Sequence, residues 1–206
     1  MALPNDTDHP SVTAILPARD EERSIAAAIN SLLDQEYDGH LDVVVAVAPS
    51  NDGTLEIAQE VAAASGRVTV IENPSGTTPA GLNAAIAVAT GEVIVRCDAH
   101  AVIPPGYVAA AVRDLEVTGA VNVGGVQAAE GVGTMQRAIA AAMTSPFGVG
   151  DARFHTGGPA GFVDTVYLGV FLRDALDAVG GFDETLIRNQ DYELNYRLRA
   201  AGGEIY

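Results

Sequence analysis

Three short stretches combine residue types that can hold a cation, a phosphate or a proton. Arg96-Cys97-Asp98-Ala99-His100 sets a carboxylate and an imidazole two residues apart, directly after an apolar run. In an extended segment, side chains two apart point the same way. Asp98 and a neutral His100 then suit Mn²⁺ or a similar borderline ion better than Ca²⁺. Such an ion could bridge diphosphate oxygens and offset the charge of a leaving nucleoside diphosphate. The plainer alternative is a polar strand end with Asp98 capping the next turn. The second stretch, Arg188-Asn189-Gln190-Asp191-Tyr192-Glu193-Leu194-Asn195-Tyr196-Arg197, opens a helix. The macrodipole there favours an ionised Asp191, able to take a proton from an attacking hydroxyl. An ordinary N-cap is the alternative. Glu193 faces elsewhere on the helix and ranks second as a base. The third stretch is Pro17-Ala18-Arg19-Asp20-Glu21-Glu22. Its carboxylates could accept hydrogen bonds from a ribose or a base, or could simply be acids in a helix first turn.

These stretches need elements to position them. Val12–Leu16, Asp42–Val47, Arg67–Ile71 and Glu92–Arg96 are short apolar or β-branched runs and predict strands. Between them, Glu21–Leu33, Thr54–Ala64 and Ala80–Ala89 predict helices, with Asp20 as a candidate cap of the first. This β-α-β-α-β-α-β alternation predicts an α/β fold, a mostly parallel central sheet with helices on both faces. Ligands in such sheets sit beyond the carboxyl ends of the strands, where Pro17–Glu22, Ala48–Gly53 and Cys97–His100 fall. Further on, Pro105–Val117, Thr134–Met143, Asp174–Val179 and Gln190–Ala201 predict helices, and Ala120–Val126 a strand. Ser145–Gly161 is a Gly-rich loop carrying His155, a residue for metal, acceptor or plain loop packing. Gly157, Gly158 and Gly161 suit a close-approaching backbone near an acceptor. Arg173 could bind a phosphate of a lipid-linked acceptor or pair with Asp174 or Asp177. The expected organisation is a single domain over 1–206, with a nucleotide-binding half (1–100) and an acceptor-binding, catalytic half (101–206), and the front part of a longer chain.

Composition narrows the partners. The chain has 206 residues and a formal net charge of −16, and all 11 basic residues are Arg. Nucleic acid is not an expected partner, because neutralising phosphates needs a basic face. A divalent cation, in contrast, lets an acidic site take an anionic donor. The single cysteine, Cys97, excludes an internal disulfide and fits a reducing, cytoplasmic setting. Its apolar surroundings make it a packing residue. Met1–Pro10 lacks the pattern of a signal peptide, and no apolar run of about 18 residues is present to span a bilayer. Membrane association would come from segments outside this chain.

Taken in order, the motifs resemble those of glycosyltransferase family 2, which has the GT-A fold. The matching pieces are Val12–Glu22, Ser50-Asn51-Asp52-Gly53-Thr54, Gly81-Leu82-Asn83-Ala84-Ala85 with Gly91-Glu92, and Asp98-Ala99-His100 in place of the family's D-x-D. Gly180-Gly181-Phe182-Asp183-Glu184 and Gln190-Asp191 through Arg197 complete the set. The chain looks most similar to the succinoglycan-biosynthesis type of exopolysaccharide transferase. The resemblance implies an inverting transfer from a nucleotide sugar, a UDP-sugar by family habit, to a glycan or lipid-linked acceptor in polysaccharide biosynthesis. Pro17, Ala18, Arg19 and Glu21 would line the nucleoside pocket. Asp52, Asn83, Arg96 and Asp98 would contact the nucleotide sugar, Asp98 and His100 would bind Mn²⁺ or Mg²⁺, and Asp191 would be the catalytic base. Three departures from the pattern stand out: Val47 and Ala48 replace acids common at the second strand end, His100 replaces an Asp, and Gln190 replaces a Glu. A His ligand works only while neutral, so activity is expected to fall on acidification. The competing reading is a nucleotide- or glycan-binding homologue without turnover. A sugar nucleotidyltransferase would want a basic Gly-rich loop where Pro17–Glu22 is acidic, and a dinucleotide enzyme would want G-x-G-x-x-G there.

Overall fold

The computed structural model describes residues 9–127 and 158–206. Twelve elements follow in chain order: β1 (Val12–Ala18), α1 (Ile25–Leu33), β2 (Leu41–Val47), α2 (Thr54–Ser65), β3 (Val68–Glu72), α3 (Thr78–Val88), β4 (Val93–Arg96), α4 (Tyr107–Thr118), β5 (Asn122–Val123), β6 (Val170–Leu172), α5 (Arg173–Val179) and α6 (Gln190–Ala200). The expected helix Thr134–Met143 and His155 lie outside the described residues, as does most of the Ser145–Gly161 loop.

The strands form one six-stranded sheet in the order β3-β2-β1-β4-β6-β5. β1 pairs in parallel with β2 on one side and with β4 on the other, and β3 extends the parallel run beside β2. β6 runs antiparallel to both β4 and β5. The central strands read as unbroken apolar runs because both of their faces are covered. Alternation then sorts their side chains by face. Ala14, Leu16, Val43, Val45, Val93 and Val95 pack with α1, α2 and α4 residues such as Ile29, Ala58 and Val112. Ile15, Val44, Ala46 and Ile94 pack on the other face with Leu82 of α3, Leu176 of α5 and Leu194 of α6.

The order of the strands matters most for function. The chain builds outward from β1 through β2 to β3, then returns to the opposite side of β1 as β4. The loops after β1 and β4 therefore leave in opposite directions and open a crevice at the carboxyl edge, the topological switch point. Close approach at the other edge depends on Gly91, where a Cβ would lie 2.4 Å from the Thr13 backbone nitrogen. Thr13 Oγ1 accepts the Gly91 N–H at 2.9 Å and so satisfies the buried turn into β4.

Three expectations shift. The first helix begins at Ile25 rather than Glu21, because Glu21–Ser24 forms a separate turn closed on the Glu21 carbonyl. Asp20 adopts φ 54° and is not the cap; its carboxylate takes the Asn51 N–H at 2.8 Å instead. The strand expected over Ala120–Val126 shortens to Asn122–Val123, and the Gly124 N–H turns to the Tyr206 carbonyl. Among the described residues, no helix is long and apolar enough to cross a membrane.

Candidate active site

A cleft of about 240 Å³ opens at the switch point. Pro17, Ala18, Arg19 and Glu21 line it from the end of β1, and Arg96, Asp98, Ala99 and His100 from the end of β4. Ala48 follows β2, Asn73 and Gly76–Thr78 form the third wall, and Gln190 enters from the start of α6. Seven of the expected site residues thus meet in one cleft: Pro17, Ala18, Arg19, Glu21, Arg96, Asp98 and His100.

Arg96 is the hinge of the arrangement. It ends β4 and its side chain is 4% exposed. Its Nη2 donates to Asp98 Oδ1 at 3.1 Å and its Nη1 donates to Asp191 Oδ1, across 95 residues of sequence. The guanidinium also stands over the Phe182 ring, 5.9 Å from the centroid. Burial alone would lower the Arg96 pKa, but the two carboxylates outweigh it and raise it. Asp191 lies in the first turn of α6, outside the residues that line the cleft, with its carboxylate turned to Arg96. Burial raises its pKa above the ordinary range, against the opposing pull of Arg96. A less acidic carboxylate is a better proton acceptor. Asn189, at φ 60°, turns the chain into this helix without a side-chain cap.

Asp98 has a second partner that the sequence reading missed. Tyr167 Oη donates to Asp98 Oδ2 at 2.6 Å. Desolvation and then the Asp98 charge raise the phenol's pKa, so it stays a donor. A lone Tyr within the apolar stretch Val163–Phe171 carries no motif; only the neighbouring Leu168, at φ 48°, marks the segment as unusual. The Asp98–Ala101 segment is a turn, closed by the Ala101 N–H on the Asp98 carbonyl at 2.9 Å, rather than extended chain. Both Asp98 and His100 nevertheless face the cleft. His100 Nδ1 lies 2.9 Å from Glu21 Oε1, while Ser24 Oγ holds the other oxygen of Glu21 at 2.6 Å.

Two expected binding residues stand elsewhere. Asp52 accepts from the Thr54 hydroxyl at 2.5 Å and from the Glu22 N–H at 3.1 Å, and so braces the loop after β2 against the loop after β1. The Thr54 hydrogen bond is the main reason its pKa falls. Asn83 accepts the Phe182 N–H and donates to the Phe182 carbonyl, each at 2.9 Å, tying α3 to the turn before α6. Neither lines the cleft. Arg173 donates to the Gly91 and Ala89 carbonyls at 2.7 and 2.6 Å. Cys97 is fully buried, and burial pushes its thiol pKa up to about 12, as packing requires.

Among the described residues, no group of three or more His, Cys, Asp or Glu converges as a ready metal cage. Asp98 and His100 supply one oxygen and one nitrogen donor on the same cleft wall. That set fits an ion completing its shell from phosphate oxygens and water, as Mg²⁺ and Mn²⁺ do in nucleotide sites.

Comparison with known proteins supplies the family and the fold. The glycosyl transferase family 2 model matches residues 13–180. The succinoglycan biosynthesis protein ExoA of Rhizobium meliloti (strain 1021) is 34% identical over 194 residues, covering 93% of this chain and 59% of that protein. Among solved structures, the mannosyltransferase PcManGT of Pyrobaculum calidifontis, in complex with GDP-Man and Mn²⁺, superposes with a TM-score of 0.74. It is 23% identical, and the match covers 99% of this chain and 56% of that one. S. aureus TarS 1-349 in complex with UDP superposes at 0.69, with 18% identity over 95% of this chain and 57% of that one. The chain thus spans somewhat over half the length of these relatives. The architecture is the GT-A fold, and the chain belongs to glycosyl transferase family 2.

Proposed function

We propose that the cleft binds a nucleotide sugar and that the chain carries out an inverting glycosyl transfer to a glycan or lipid-linked acceptor in polysaccharide biosynthesis. One observation carries this reading. The Asp98 carboxylate, in the lining of the switch-point cleft, and the Asp191 carboxylate, outside that lining, converge on Arg96 from distant points of the sequence. A transferase needs both a carboxylate on the donor side and a carboxylate that can take a proton on the acceptor side. Relatives supply the chemical class: GDP-Man with Mn²⁺ in one, UDP in another.

In the proposed reaction, Pro17, Ala18, Arg19 and Glu21 receive the nucleoside against the β1 edge. Asp98 and His100 would hold Mn²⁺ or Mg²⁺. That ion, when bound, supplies positive charge to the diphosphate as it leaves. Asp191 takes the proton of the acceptor hydroxyl as its oxygen bonds to the anomeric carbon. The bond from that carbon to the diphosphate oxygen breaks, its electron pair leaves with the nucleoside diphosphate, and the configuration inverts. Burial keeps Asp191 basic, and the Arg96 guanidinium keeps it oriented.

The test is a calorimetric titration of UDP, GDP and other nucleoside diphosphates with and without Mn²⁺, on the wild type and on Asp98→Ala. One nucleotide is expected to bind only with the metal and only when Asp98 is present. Absence of metal-dependent binding to the wild type would overturn the reading.

A further inference from the structure

We infer that Arg96 is a positioning residue that couples the donor side of the site to its base, rather than a ligand of the nucleotide sugar. This rests on the transferase reading above. Four observations support it.

First, the Arg96 side chain is 4% exposed, whereas those of its partners Asp98 and Asp191 are 16% and 21% exposed. Second, both of its terminal nitrogens are directed at protein carboxylates, Nη2 at Asp98 and Nη1 at Asp191. Third, its Nε is buried with no hydrogen-bond partner among the described residues. An arginine built to grip a diphosphate would present that edge to the ligand, because the fork of donors is what binds phosphate oxygens. Fourth, its backbone is fixed in the middle of the sheet. β4 lies between β1 and β6, and the Arg96 N–H donates to the Gly169 carbonyl at 3.0 Å. The Phe182 ring packs on the guanidinium from the side of the turn before α6.

The consequence is geometric. Asp98 comes from the turn that follows β4 and Asp191 from a helix that reaches the sheet only through tertiary packing. A planar cation with two separated donor groups sets the distance and direction between them. Tyr167 holds the remaining oxygen of Asp98, so rotation of that carboxylate is blocked on both sides. A misplacement of about 1 Å in such a constellation costs on the order of 100-fold in rate. Lysine cannot substitute, because a single ammonium on a flexible stem cannot satisfy two carboxylates approaching from different directions in a fixed plane.

The experiment compares wild type, Arg96→Lys, Asp191→Asn and the double variant. Binding of the Mn²⁺ complex of UDP or GDP is read by calorimetry. Turnover is read as release of nucleoside diphosphate from the matching nucleotide sugar with water as acceptor, which needs no knowledge of the natural acceptor. Arg96→Lys keeps the positive charge in the core and is the variant expected to fold; thermal unfolding checks this. The expected result is unchanged Mn²⁺-nucleotide affinity, kcat lowered about 100-fold at saturating donor, and a double variant no slower than Asp191→Asn alone. Weakened nucleotide binding at unchanged kcat would make Arg96 a donor ligand and overturn the inference. So would a double variant whose losses multiply, since Arg96 would then act independently of Asp191. If wild type itself binds no Mn²⁺-nucleotide, the transferase reading fails and the inference falls with it. If wild type binds and Arg96→Lys behaves as wild type, only the inference fails.

Discussion

A carboxylate serves as a base only when it is ionised and not too acidic, and opposing influences act on Asp191, the proposed base. Burial raises its pKa above the ordinary value of 3.8, while the Arg96 charge and hydrogen bond pull it back. Below its pKa, Asp191 carries a proton and cannot accept another, so turnover is expected to rise with pH through that value. The acid limb of the kcat profile should therefore lie above the range of an exposed aspartate. Replacing Asp191 with Asn should lower kcat by about 10²- to 10⁴-fold while Mn²⁺-nucleotide binding persists; initial rates and calorimetry on the same preparation separate the two. In the proposed role of metal ligand, His100 works only through an unprotonated ring nitrogen, which makes it a second candidate source of acid sensitivity. The Glu21 carboxylate beside it would also compete for its ring nitrogen. Comparing the acid limb of wild type with that of His100→Asp distinguishes the contributions of His100 and Asp191. If the limb is unchanged in His100→Asp, His100 contributes nothing to it.

At the scale of elements, two residues expected at the donor site, Asn83 and Asp52, each join separate segments of the fold. Asn83 bonds both backbone groups of Phe182 and reaches Glu184, and so ties α3 to the turn before α6. Its truncation to Ala should cost about 1–3 kcal/mol, since the Phe182 groups lose their partner. Urea unfolding should show this loss, with Mn²⁺-dependent nucleotide affinity preserved. A large drop in affinity without a drop in stability would instead return Asn83 to the donor site. Asp52 does comparable work between the loops after β1 and β2. Arg197 ties α6 to α5 through the Val179 and Gly181 carbonyls, at 2.6 and 2.7 Å, while paired with Glu193.

On the scale of the whole molecule, charge is the dominant fact. A net charge of −16 on 206 residues repels itself and any anionic donor. Salt should relieve the self-repulsion, because the screening length falls from about 30 Å at 0.01 M to about 8 Å at 0.15 M. The expected outcome is a melting temperature that rises over that range of NaCl. A flat or falling curve would mean that local ion pairs such as Arg199–Asp164 outweigh the net repulsion. In the proposed reaction a cation would offset this charge before a diphosphate settles beside Asp98, and chelation should therefore weaken nucleotide binding in the wild type.

What the sequence determined by itself was the periodic part. Apolar runs of strand length, helices between them and their alternation are local properties, and they led directly to a parallel sheet with both faces covered. The acidic tripeptides at strand ends were legible for the same reason, and Pro17, Glu21, Asp98 and His100 do share one cleft. Tertiary structure decided the rest. The placement of β4 beside β1 put the crevice between their loops. Only packing could show that Arg96 faces two carboxylates rather than solvent, that Tyr167 reaches Asp98, and that Asp52, Asn83 and Arg173 are committed to backbone groups. The physical reason is that periodicity is read from neighbours along the chain. The partner of a polar side chain is chosen among groups that approach only after the core has closed, and burial then makes an unpaired group too costly to leave.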